Sequence, residues 1–190
     1  MLYRNTIRAF AILLALSAFT WAAARPASAA SDAAGSSMIL VLDGVSGEST
    51  LRDYKGGIDI RSFEFGATST VSASAGGGSG AGKPTYTDLT LTKYVDSATL
   101  TLLRNLASGK RTATGTLYVL GINGKPSLTI TLKNITVTGD QVSGAESERQ
   151  SETVKLTATE LKFEYTTQGK DGAPGPKQTL EIDIGKGSVK

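Results

Sequence analysis

From Thr85 to Lys93 the chain alternates, with Thr87, Leu89, Leu91 and Lys93 on one side and Tyr86, Asp88, Thr90 and Thr92 on the other. A period of two puts every second side chain on the same face, so this stretch predicts a half-buried strand. The period changes at Asp96. A carboxylate there accepts the free amide protons of a first helical turn, and Leu102, Leu103 and Leu106 recur as a buried stripe. Gly109 ends the pattern with a residue suited to the left-handed conformation of a helix terminus, and Lys110 and Arg111 suit the negative end of the helix dipole. One helix between Asp96 and Gly109 is therefore expected, and the remaining patterns read as strands that close around it.

Met38 to Leu42, MILVL, is a continuous apolar run and predicts a strand covered on both faces. The polar, glycine-punctuated residues 46–57 read as a loop. In IDIRSFEFG, Ile58 and Ile60 share one phase and Phe63 and Phe65 the other, with the slip near Arg61 and Ser62. Either a bulge there turns both pairs toward one core, or the strand is covered on one side by a barrel wall and on the other by a neighbouring subunit. Thr112 to Leu120 places Ala113, Gly115, Leu117 and Val119 together, and Asn123-Gly124 predicts a tight turn. Leu128, Ile130 and Leu132, then Ile135 and Val137, mark the next strand, and residues 144–150 read as a charged loop.

Ser151 to Thr166 is the longest strand pattern. Val154, Leu156 and Ala158 share one phase and Leu161, Phe163 and Tyr165 the other, with a slip near Thr159 and Glu160. A long strand with a bulge bends from one sheet into a second, as barrels require at their corners. Gly169 to Pro176 resembles three collagen triplets, too few for a triple helix, and reads as a hairpin loop before a last strand, Thr179 to Ile184. The expected fold is all-β: an antiparallel β-barrel of two sheets, about eight strands, with one flanking α-helix, in a single domain over residues 38–190.

Before that domain, Arg4 and Arg8 precede the apolar run Ala9 to Ala24, and Ala27-Ser28-Ala29 is a small-x-small cleavage pattern. Residues 1–29 thus read as a secretory signal peptide, followed by a flexible segment, 30–37, with no stable membrane insertion after cleavage. The expected location is the periplasm or the outside of the cell; a true start at Met38 would instead give a leaderless protein that is cytoplasmic before secretion. The leader also changes the charge reading. The chain carries 20 basic and 17 acidic residues, and Arg4, Arg8 and Arg25 lie in the leader, which leaves 17 of each. That balance gives no standing basic surface and no argument for nucleic acid.

With no cysteine and no histidine, the chain has no disulfide framework, no usual zinc ligands and no imidazole for a triad hydrolase. Glu146, Glu148 and Glu152 flank Arg149 in what reads as a solvated loop, and Asp43, Asp53 and Asp59 do not match a calcium loop. No catalytic residue, cofactor site or metal site is expected, so the chain reads as non-enzymatic. Val71 to Lys83, VSASAGGGSGAGK, has no bulky apolar residue after Val71 and matches no phosphate-binding loop. It reads either as a plain linker or as a loop that orders against a partner.

Seven segments, LDGVSGEST (42–50), KGGIDIRSFEFG (55–66), GGGSGAGK (76–83), DLTLTKYVDSATLTLL (88–103), SGK (108–110), ITLKNITVTG (130–139) and SETVKLTATELKFEYTTQGKDG (151–172), stand in an order and spacing that resemble the Hcp family. These haemolysin-coregulated proteins form the tube of type VI secretion systems. The resemblance implies a homohexameric ring, rings stacked into a hollow tube, and spike, sheath and effector proteins as partners. It also implies that the loop containing Ser69, Thr70, Val71, Gly76, Gly77, Gly78, Gly80, Gly82 and Lys83 lies against the neighbouring ring, which favours the partner-ordered reading. A leader is a departure from that pattern. The alternative is an exported, stand-alone barrel that holds a peptide, a glycan or a secreted protein.

Overall fold

All strand pairings among the described residues are antiparallel, and six strands close into a ring. The computed structural model describes residues 37–69, 71–72, 80–81, 83–121, 124–169 and 173–190. The expected leader, residues 1–29, and the segment that follows it to residue 36 lie outside the described residues. In chain order the strands are β1 (Met38–Leu42), β2 (Ile58–Glu64), the two-residue β3 (Ala67–Thr68), β4 (Val71–Ser72), β5 (Gly80–Ala81) and β6 (Thr85–Tyr86), then β7 (Leu89–Tyr94). After the helix α1 (Thr99–Ser108) come β8 (Thr112–Leu120), β9 (Pro126–Ser143), β10 (Ser151–Thr157), β11 (Glu160–Gln168), β12 (Pro174–Asp183) and β13 (Ser188–Val189). Eight of these run to five residues or more, as the patterns predict.

The ring runs β10, β7, β2, β1, β8, β9 and back to β10. Closure depends on the 18-residue length of β9. Its first half pairs with β8, and its second half pairs with β10. Thr157 lies opposite Thr136 and Glu160 opposite Lys133, so β10 and β11 follow one another along the same edge of β9. They part at Ala158 and Thr159, where the hydrophobic phase slips. From that corner β10 turns its other edge to β7 and β11 turns its other edge to β12, with β13 beyond. The second expected slip is also present: β2 and β7 shift register between Ile60 and Ser62. A bulge there rotates the chain so that Ile58, Ile60 and the half-buried Phe63 and Phe65 all pack on one core.

Leu40, Leu42, Ile58, Ile60, Leu89, Leu91, Leu117, Ile130, Leu132, Val154 and Leu156 fill the barrel. Each such aliphatic side chain contributes about 1.5–3 kcal/mol on burial. The expected cover on both faces of β1 holds only in part: Ile39, on the side away from Leu40, is fully buried beside Gly57, but Val41 on that same face is exposed. On β8 the expected phase holds for Gly115 and Leu117 and fails at Ala113, which is exposed while Thr112 is buried. Across from it, Asn134 takes a left-handed φ of 51°, and the inward face of β9 passes from Leu132 to Ile135. Thr112 lies opposite Ile135, and both strands change phase together. Gly124, with φ 71°, closes the β8–β9 turn by donating to the Gly121 carbonyl.

The helix is shorter than the pattern suggests. It begins at Thr99 rather than beside Asp96, whose Oδ1 accepts the Ala98 amide just ahead of the first turn. Leu102 is buried as expected, Leu103 and Leu106 are half-buried, and Asn105 is buried in their place. Gly109 ends α1 with φ 64°, and its amide and that of Lys110 return to the Leu106 and Asn105 carbonyls.

Candidate functional site

β2 and β7 continue beyond the barrel wall as a two-stranded arm. Glu64 lies opposite Thr90, Ala67 opposite Tyr86, Thr68 opposite Thr85, Val71 opposite Ala81 and Ser72 opposite Gly80. The expected single strand from Thr85 to Lys93 is thus divided at Thr87 and Asp88. There Thr87 bonds Gly66 through both its amide and its hydroxyl, and Asp88 accepts the Thr138 hydroxyl at 2.7 Å. Aromatic packing anchors the base of the arm, with Phe65 5.4 Å from Phe163 and 6.2 Å from Tyr86 between ring centroids. Of the residues expected to stack against a neighbouring ring, Ser69 and Lys83 lie on the two sides of this arm, and Val71 and Gly80 belong to its outermost described strands. Lys83 lies along the left-handed turn at Gly187. Thr70, Gly76, Gly77, Gly78 and Gly82 lie outside the described residues.

A second feature was hidden in the alternation. Lys93 ends the buried face of β7 and lies directly opposite Glu152 on β10. Both side chains are sealed from solvent, and the ammonium stands 2.5 Å from Glu152 Oε2 and 2.8 Å from Asp96 Oδ1. It also donates to the Tyr94 carbonyl at 2.9 Å and to Thr99 Oγ1 at 3.0 Å, while the Thr99 hydroxyl donates to Glu152 Oε2. The solvated-loop reading of Glu152 is therefore wrong: strand register carries it into the barrel, while Glu146 and Glu148 stay exposed in the loop. The available signal was its phase, shared with Val154 and Leu156, matched by that of Lys93 with Leu89 and Leu91. With its protons engaged and no route to solvent, this lysine holds the end of the barrel together and is not placed to attack a substrate.

Asp140, on the outer half of β9, borders the pair. Burial and the neighbouring Glu152 charge push its carboxyl up from 3.8 to about 6, and Lys93 opposes this in part. Tyr94, beside Lys93, faces outward between two guanidinium groups, with Arg61 4.4 Å and Arg149 4.2 Å from its ring centroid. Among the described residues no cluster of three or more acidic side chains is arranged to hold a metal ion.

The sheet that leaves the barrel at the corner carries an apolar face outward. Leu161 and Ile182 are buried, Phe163 beside them is half-buried, and Tyr165 and Leu180 beyond are exposed. Around them Lys162 bridges to Glu181 at 3.4 Å and Lys177 to Glu164 at 3.4 Å, exposed pairs of little energetic weight.

Residues 39–165, which include the barrel, the arm and the buried ion pair, match the family described as type VI secretion system effector, Hcp. The chain belongs to the Hcp family. Its similarity to Protein hcp1 of Pseudomonas aeruginosa amounts to 33% identity over 140 residues, 72% of this chain and 86% of that protein. Among solved structures, one of a type six secretion system protein superposes with a TM-score of 0.76 at 26% identity, covering 80% of this chain and 98% of the other. Hcp1 from Salmonella typhimurium superposes with a TM-score of 0.69 at 26% identity, covering 80% and 97%. The Hcp match ends within β11, so β12 and β13 lie past the residues that define it. No helix among the described residues is long and apolar enough to cross a membrane.

Proposed function

We propose that this chain is a ring-forming tube subunit of a type VI secretion system, with six copies meeting side by side around a lumen and rings stacking through the arm. Membership of the Hcp family over residues 39–165 is the observation that carries this reading. Two features of the single chain support it. Tyr165 and Leu180, at the far end of the apolar face that starts at Leu161, are exposed within one copy, and a neighbouring subunit would bury them. The paired strands β3 with β6 and β4 with β5 offer backbone hydrogen-bonding edges to a second ring. Effectors would travel in the lumen, with spike and sheath proteins as further partners. The reading is structural: the protein acts by its assembly geometry, not by bond-making side chains.

Light scattering after size-exclusion chromatography tests the ring directly, and a hexamer is expected. Replacing residues 69–83 by a two-residue turn should leave hexamers intact and abolish stacking seen by electron microscopy. A strict monomer at every concentration sinks the proposal and favours the stand-alone binding module, a reading to which the leader-like residues 1–29 lend support. Cleavage after Ala29 is part of the proposal and is checked by N-terminal sequencing of the exported protein.

A further inference from the structure

We propose that Asp140 and Glu152 share one proton inside the end of the barrel, a proton-binding site that ties the outer half of β9 to β10. In the β9–β10 ladder Glu152 lies opposite Val142 and Val154 opposite Asp140. The two carboxyl groups are therefore diagonal neighbours on the same inward face, within reach of one another. Glu152 directs Oε2 to Lys93 and Thr99 and has Oε1 left over. That oxygen and both oxygens of Asp140 are closed to solvent and have no hydrogen bond. Two carboxylates present each other with acceptors alone, so as ions neither satisfies the other.

One proton on Asp140 changes the contact into an O–H···O bond. The groups that face Asp140 are Glu152 from β10 and Lys93 from β7, and the lysine is already shared with Asp96; α1 contributes the uncharged Thr99 hydroxyl. Ionising Asp140 would set three carboxylates around one ammonium at the barrel rim, where water screens them only in part. The raised carboxyl pKa agrees with this geometry. Lys155, opposite Gly139 on the next rung, lies along that glycine, on the other face of the ladder, and supplies no counter-charge.

The consequence has a definite sign. Asp140 in the folded protein holds its proton to about pH 6 against 3.8 for the ordinary carboxyl. The stability that the proton contributes is therefore complete below about pH 4 and is lost as pH rises through about 6. Asp140→Asn supplies a neutral N–H to Glu152 at every pH. Between pH 4 and 7, the folding equilibrium of the wild-type full chain should weaken roughly tenfold relative to that variant, the nominal hundredfold being trimmed by solvent at the barrel rim. Carboxyl-carbon NMR of the unmodified protein provides a second readout that does not need the variant to fold, and Asp140 should titrate with a midpoint near 6. A midpoint near 4, or stability profiles of wild type and variant that run parallel from pH 4 to 7, would overturn the proposal.

Discussion

Removing Lys93 alone should harm the protein far more than removing Lys93 and Glu152 together. Above about pH 6, Lys93→Met leaves the Glu152 carboxylate, fully buried, with only the Thr99 hydroxyl for Oε2 and no proton for Oε1. Stripping one partner from a buried pair costs about 3–5 kcal/mol, because the remaining charge has neither water nor counter-ion. Glu152→Leu strands the ammonium in the same way, relieved in part by Asp96 at 2.8 Å. In the double variant both charges of the pair go and two apolar side chains of similar volume take their place, while Asp96 keeps the Ala98 amide, so the cost should fall to about 2 kcal/mol. The coupling energy is then about 4 kcal/mol or more. Urea unfolding at one fixed protein concentration measures it, since assembly adds stability by mass action. With a slope of about 1–3 kcal/mol/M, the double variant should unfold at least 1 M later than the sum of the single losses predicts. If the two losses simply add, the ion pair is not a unit and its placement at the heart of the barrel end has been misjudged.

Glycines give a graded set of expectations. A Cβ on Gly115 would stand 2.3 Å from Leu42 Cδ2 and 2.8 Å from Ile135 Cδ1, so Gly115→Ala should cost about 1–3 kcal/mol by thermal melting, through overpacking. On Gly144 the same Cβ would meet only the flexible Gln150 side chain at 3.2 Å, and Gly144→Ala should stay within about 0.5 kcal/mol of wild type. Gly109→Ala meets open space but must hold φ at 64°, and a loss of about 1 kcal/mol is expected in the same assay. Leu117→Ala, at the centre of the barrel, should lose about 2–5 kcal/mol in urea, and a loss under 1 kcal/mol would mean that the core collapses around it.

How much of this was legible in the chain depended on how local the cause was. The bulge near Arg61 and the corner near Thr159 were visible because a phase slip is written in neighbouring residues: a strand whose apolar side chains change sides must bend or bulge to keep them buried. The helix stop at Gly109 was visible for the same reason, while its start was misplaced because Asp96 is claimed by Lys93 and by the Ala98 amide. The seven segments also carried the family. The arm was legible as a glycine-rich stretch but not as a ribbon, since its rungs join residues up to 19 positions apart, as with Ala67 and Tyr86.

Sequence alone determined the period of most of the long strands, the helix that stops at Gly109, the bulge, the corner and the absence of histidine and cysteine, since each depends on residues a few positions apart or on composition. Register was decided only by the folded chain. Lys93 and Glu152 stand 59 positions apart, and either one read singly is a charge at the end of an amphipathic strand, free to reach water. They become a buried pair because closing the ring puts β7 beside β10 in one register, and a charge enclosed there must find its counter-charge on the facing strand.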